Sequence, residues 1–208
     1  MKRNIAVLGL IIVVIAALLW AGIHNGRQRK LAIEQQQQQQ QAVLVAQSKT
    51  TAAQQAEEDT MPDYRGKPAP GFTLTALDGK KISLADYKGK AVLVNFWATW
   101  CAPCKIEMPW LVEFDKKYSV QGLETVGIVG DVAPKDEIEK ITQKLGVNYP
   151  VLLADRKVGS AYGVDGYPAS FFIGRDGKVV EQISGLDTDN GKDVIEADIK
   201  KALASGGQ

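Results

Sequence analysis

The chain has 208 residues, 45% hydrophobic and 24% charged, enough for one ordinary domain with appendages and too few for a large multidomain enzyme. The formal net charge of +1 is unevenly spread: residues 1–30 hold five cations and no acid, so the rest is acidic and no nucleic-acid partner is expected. Two cysteines, Cys101 and Cys104, and one histidine, His24, exclude a disulfide-stapled mini-fold, a single-chain metal cage of Cys and His ligands, and Ser-His-Asp or Cys-His catalysis.

After a short tail at residues 1–4, residues 5–23 (IAVLGLIIVVIAALLWAGI) carry no charge and match the ~20 residues a helix needs to cross hydrocarbon. The apolar stretch is longer than a typical signal-peptide core and ends without a small-x-small cleavage pattern, so an uncleaved transmembrane anchor is expected. Lys2 and Arg3 on one flank are matched by Arg27, Arg29 and Lys30 on the other, which leaves orientation open on charge alone. Residues 24–62 form a low-complexity, Gln-rich tether with glutamine at every position from 35 to 41 and too few apolar residues for a core. Pro62, Pro68 and Pro70 mark the entry to a folded domain at 63–208.

That domain reads as α/β. Phe72–Ala76 alternates, Asp78-Gly79 signals a hairpin turn, and Lys81–Ser83 supplies the second strand. Ala91–Trp97 (AVLVNFW) is a nearly continuous apolar run, as in a strand covered on both faces. A helix follows from Pro103 to about Tyr118, with Pro109 inside it, then a strand at Leu123–Val129. Pro134 opens a helix with Ile138, Ile141 and Leu145 at helical spacing, closed by Gly146. A short strand at Tyr149–Leu153, strands at Ser170–Gly174 and Val179–Ser184 around the turn Arg175–Lys178, and an amphipathic helix at Asp193–Ala204 complete the chain.

The chemistry concentrates at Cys101 and Cys104. Their two-residue spacing, between a strand end and a helix start, places Cys101 where unpaired N–H groups and the helix dipole stabilise a thiolate. Cys104 follows one turn later on the same face, within reach of a mixed disulfide formed at Cys101. Cys101 is therefore the expected nucleophile and Cys104 the resolving thiol. Pro103 presets an early helical position where its missing N–H costs nothing.

The run Asn95–Pro109 (NFWATWCAPCKIEMP), with Tyr167-Pro168 downstream, resembles the thioredoxin superfamily, and within it the membrane-anchored TlpA/ResA-type thiol–disulfide oxidoreductases. The resemblance spans about residues 66–204. It implies a thioredoxin fold, a central mixed sheet flanked by helices, with an N-terminal β-hairpin and an inserted helix and strand. It makes Cys101 an exposed attacking thiol and Cys104 its buried partner, with no cofactor beyond their disulfide and no metal. Pro168 matches a cis-proline where a substrate backbone docks, and Trp100 and Tyr167 would shape that surface beside Pro103. Glu107 matches an acidic residue that would raise the thiol pKa values and relay protons. Asn95 stands where thioredoxin itself has a buried aspartate, and an amide cannot take up a proton.

Ala102-Pro103 contains no histidine to favour a strongly oxidising pair, so a reductant is expected. The resemblance implies a single-pass protein of the bacterial inner membrane with its domain in the periplasm. There it would reduce a disulfide-containing protein, such as apocytochrome c or a copper-site assembly protein, and be re-reduced by a membrane electron donor. The rival readings are a thiol peroxidase of related fold and a redox-inert adaptor or metal-handling module. Against the first, Val94 and Ala98 stand where a peroxiredoxin motif has proline and threonine.

Overall fold

Every residue of the strand Ala91–Trp97 is buried, and its alternate side chains feed separate cores. Val92, Val94 and Phe96 point to one face of the sheet, Leu93 and Trp97 to the other. This strand, β3, lies inside a seven-stranded mixed sheet in the computed structural model, which describes Trp20 and residues 61–206. The strands are β1 (Thr73–Ala76), β2 (Lys81–Ser83), β3, β4 (Leu123–Val129), β5 (Val151–Leu153), β6 (Ala169–Ile173) and β7 (Val179–Ser184). Their spatial order is β2-β1-β5-β4-β3-β6-β7. β3, β4 and β5 run parallel, β6 and β7 turn back antiparallel, and the hairpin β1-β2 joins antiparallel to β5.

Four helices cover this sheet: α1 (Ala102–Tyr118), α2 (Lys135–Lys144), α3 (Arg156–Ala161) and α4 (Gly191–Ala204). Residues from α1 and α4 pack on Leu93, Leu123 and Phe172, while α1 and α2 close over Trp97 and Val129. Val158 of α3 and the adjoining Tyr162 join Phe96 and Phe171 on the opposite face, with Met61 and Tyr64 packed against them. The thioredoxin-like α/β class, the opening hairpin and the helix and strand between β4 and β6 follow the expected order.

Several details differ from the sequence reading. α3 is absent from it, because six residues with a glycine inside carry no periodicity; its signal is Asp155, whose carboxylate accepts from the Lys157 and Val158 amides as an N-cap. β5 starts at Val151 rather than Tyr149, since Pro150 has no N–H for the ladder and contributes only its carbonyl, to the Gly127 amide. A 3-10 turn at Leu84–Tyr87 is held by a Ser83–Asp86 capping box that the apolar pattern does not reveal. Apart from Trp20, the expected anchor at 5–23 lies outside the described residues, as does the tether but for residues 61 and 62. Among the described residues no helix is long and apolar enough to cross a membrane.

Candidate active site

β3 ends at Trp97 and the chain turns through Ala98–Cys101 into α1, the Cys101 amide donating to the Ala98 carbonyl at 3.1 Å. Cys101 is the N-cap of α1 and Cys104 stands one turn in; the two form a disulfide with Cα atoms 5.4 Å apart. The Cys104 amide donates to Cys101 Sγ at 3.1 Å, so an otherwise orphaned N–H of the first turn is aimed at the sulfur that would carry negative charge after reduction. Pro103 is exposed at the second helical position, as its ring geometry favours.

In this oxidised form the sulfurs are bonded to each other and little exposed, where the resemblance implies an exposed attacking thiol at Cys101 in the dithiol. Cys101 is only 2% exposed, and Cys104 is fully buried. Both cysteines pack among Trp97, Met108 and Val129 at the helix terminus.

Glu107 falls in the buried stripe of α1 with Cys104, Met108, Leu111 and Phe114, so the helix carries its carboxyl toward the sheet. It is 2% exposed and accepts from Asn95 Nδ2 at 2.6 Å; the same amide donates to Ser170 Oγ at 3.0 Å from the paired position on β6. Burial raises the Glu107 pKa to about 7, the Asn95 hydrogen bond offsetting part of that rise. Asn95 thus serves as the donor that keeps a buried carboxyl solvated. The sequence shows both residues but not their contact.

The Tyr167-Pro168 peptide is cis, with Pro168 buried and Tyr167 half-buried and packed against the cluster that holds both cysteines. Trp100 is 69% exposed and meets the Tyr167 ring edge-on, centroids 5.8 Å apart. Trp97, by contrast, is core. No sequence motif announces a further contact in the turn before Trp100: Asp131, just after β4, accepts from the Thr99 amide at 3.0 Å and from Thr99 Oγ1 at 2.5 Å. Burial, then the Asp131 charge, hold the Tyr167 phenol above its usual pKa. Among the described residues no group of three or more His, Cys, Asp or Glu could hold a metal ion.

A bonded cysteine pair spanning the first turn of the helix that leaves the central strand, in a domain with a cis Tyr167-Pro168 peptide whose Tyr167 packs against the cluster holding both cysteines, defines the class: a disulfide oxidoreductase of thioredoxin fold. Residues 65–182 match the AhpC/TSA family, and the chain belongs to it. Among its relatives are the thiol–disulfide oxidoreductases ResA of Bacillus anthracis, 43% identical over 137 residues covering 65% of this chain and 77% of the relative, and of Bacillus subtilis strain 168, 42% identical over 127 residues covering 60% and 70%. A crystal structure of a putative thiol:disulfide interchange protein DsbE from Chlorobium tepidum aligns with TM-score 0.62 at 31% identity, covering 69% of this chain and 99% of that one. The protein is a thiol–disulfide oxidoreductase, and disulfide-containing proteins are the substrate class this implies.

Proposed function

We propose that the domain is a protein-disulfide reductase working by dithiol exchange outside the cytoplasm. In the dithiol form, the Cys101 thiolate attacks one sulfur of a substrate disulfide and expels the other as a thiolate, which takes up a proton. Cys104 then gives its proton to Glu107 and attacks Cys101 Sγ, breaking the mixed disulfide and expelling the second substrate sulfur as a thiolate, which takes up the proton that Glu107 gives back. The substrate gains two electrons and two protons, and the enzyme is left with the Cys101–Cys104 bond. The observation that carries this reading is the placement of a buried carboxyl, poised near neutral pH, one turn beyond Cys104 on the same helix.

Trp100, Pro103, Tyr167 and Pro168 would form the docking surface around the pair. An anchor at residues 5–23 would hold the domain on the periplasmic side of the bacterial inner membrane, where substrates such as apocytochrome c or a copper-site assembly protein acquire disulfides and a membrane electron donor restores the dithiol. The absence of histidine between the cysteines favours the reducing direction. Trapping tests the reading: Cys104→Ser should accumulate a mixed disulfide on Cys101 that dithiothreitol releases, and Cys101→Ser should trap nothing. If Cys104→Ser captures no protein under mildly oxidising conditions, the proposed role fails.

A further inference from the structure

The turn that presents Cys101 makes a contact for which dithiol exchange as described has no use. Between Trp97 and Cys101 the chain must leave a sheet and enter a helix, and only one hydrogen bond inside the turn, Cys101 amide to Ala98 carbonyl, closes it. Thr99, 6% exposed, is held instead from outside by the Asp131 carboxylate, which takes the amide on one oxygen and the hydroxyl on the other. Asp131 is itself fixed, because the preceding Gly130 amide donates to the Trp97 carbonyl at 2.9 Å. A side chain at Gly130 would displace Tyr167, since a Cβ there would stand 2.0 Å from the Tyr167 hydroxyl. The segment Gly130-Asp131 therefore holds the active-site turn at its start, Trp97, and at its middle, Thr99, and lies against Tyr167, whose ring meets Trp100 edge-on.

We propose that Asp131 is a positioning residue for the dithiol, its two-point grip on Thr99 holding Cys101 where its sulfur closes onto Cys104. The disulfide fixes Cys101 covalently, so the oxidised form gains little from the grip. The dithiol form has no such bond, and there the grip removes conformational freedom that closure would otherwise have to remove. Releasing Thr99 lets the dithiol relax and lowers the effective concentration of Cys101 at Cys104. The consequence is thermodynamic: loss of the grip shifts the equilibrium toward the dithiol and makes the protein a weaker reductant.

This inference rests on Cys101–Cys104 being the exchanging pair. The test equilibrates the purified full chain with glutathione, in which one protein disulfide and two glutathione thiols give one protein dithiol and one glutathione disulfide. Asp131→Ala is expected to raise the dithiol-to-disulfide ratio about tenfold at fixed buffer, equivalent to ~30 mV for two electrons. Thr99→Val, which keeps the amide bond and loses the hydroxyl, should shift it about threefold in the same direction. The double variant should shift no further than Asp131→Ala alone, because both remove one contact. Asp131→Asn, able to accept the amide and share a hydrogen bond with the hydroxyl, should return most of the shift.

Three results would overturn the proposal. An Asp131→Ala ratio within threefold of wild type would show that the grip does not bear on closure. A shift in Asp131→Asn as large as in Asp131→Ala, with none in Thr99→Val, would assign the effect to the carboxylate's charge. Equal falls in thermal midpoint for oxidised and reduced Asp131→Ala, without a change in ratio, would leave only a structural bond. Should wild type itself fail to equilibrate with glutathione while Cys101→Ser behaves identically, the reading of the pair falls first, and this proposal with it.

Discussion

Glu107 spends free energy on being where it is. A carboxyl in water releases its proton near pH 4.5, but at this site it holds the proton to about pH 7. Between those values the folded protein binds more protons than the unfolded chain, so stability declines as pH rises from about 4.5 and levels off above about 7. The shift corresponds to about 3 kcal/mol. Replacing Glu107 with Gln keeps an acceptor for Asn95 and removes the titration. Its stability relative to wild type should rise by up to about 3 kcal/mol between pH 4.5 and pH 8, read from urea unfolding at each pH; a constant difference across that range would contradict the assignment. Glu107 is legible through the resemblance carried by Asn95–Pro109, and its burial follows from residues 104, 107, 108 and 111 falling on one face of α1. Its solvation is not legible, because the Asn95 amide that donates to it comes from β3 and is shared with Ser170, its paired residue on the distant strand β6.

Among the elements, the long strands and helices were legible because each carries its own period. Leu123–Val129 and Val179–Ser184 occupy the residues their patterns mark, and α1 begins one residue before Pro103. Elements defined by hydrogen bonds rather than apolar spacing, α3 and the turn Leu84–Tyr87, were not. The C-terminal end of α4 depends on one such bond set. Arg175, in the turn between β6 and β7, donates to the carbonyls of Leu203 at 3.2 Å, Gln121 at 2.7 Å and Gly89 at 3.4 Å. It thereby satisfies an acceptor that the last helical turn leaves open and ties it to the approaches of β3 and β4. Arg175→Ala should cost about 1–2 kcal/mol. Amide exchange should quicken in the last turn of α4 and around Gly122, while the exchange activity at the opposite end of the sheet stays as in wild type. Uniform loss of protection throughout the domain would argue against this local role.

At the scale of the whole molecule, cohesion comes from the two faces of the sheet. Phe96, Phe171 and Tyr162 meet on one side at centroid distances of 4.7–5.9 Å, and Leu93, Leu111, Phe114 and Phe172 pack on the other. The ion pairs among the described residues lie mostly at the surface: Lys117–Glu196, Lys192–Glu113 and Lys140–Asp136 all leave the lysine 42–76% exposed. Such pairs contribute little and are screened. Raising sodium chloride from about 0.1 to about 1 M should move the thermal midpoint by less than ~3 °C; a fall of ~10 °C would mean that charge carries more of the stability than the cores do. The two-sided burial of Ala91–Trp97 was visible in its composition, whereas the place of Asp131 depends on how the ends of β3 and β4 lie side by side.

The sheet order ties two parts of the chain to a common fate. β1 reaches the rest of the sheet only through β5, by the pairs Thr75↔Leu153 and Ala76↔Leu152, and β5 belongs to the helix–strand excursion between β4 and β6. Excising that excursion would strand the opening hairpin, and cutting away the hairpin would bare β5 as a raw flank inviting partners. A chimera built with a simpler relative must therefore exchange both pieces together, and ancestry should show them gained or lost as one.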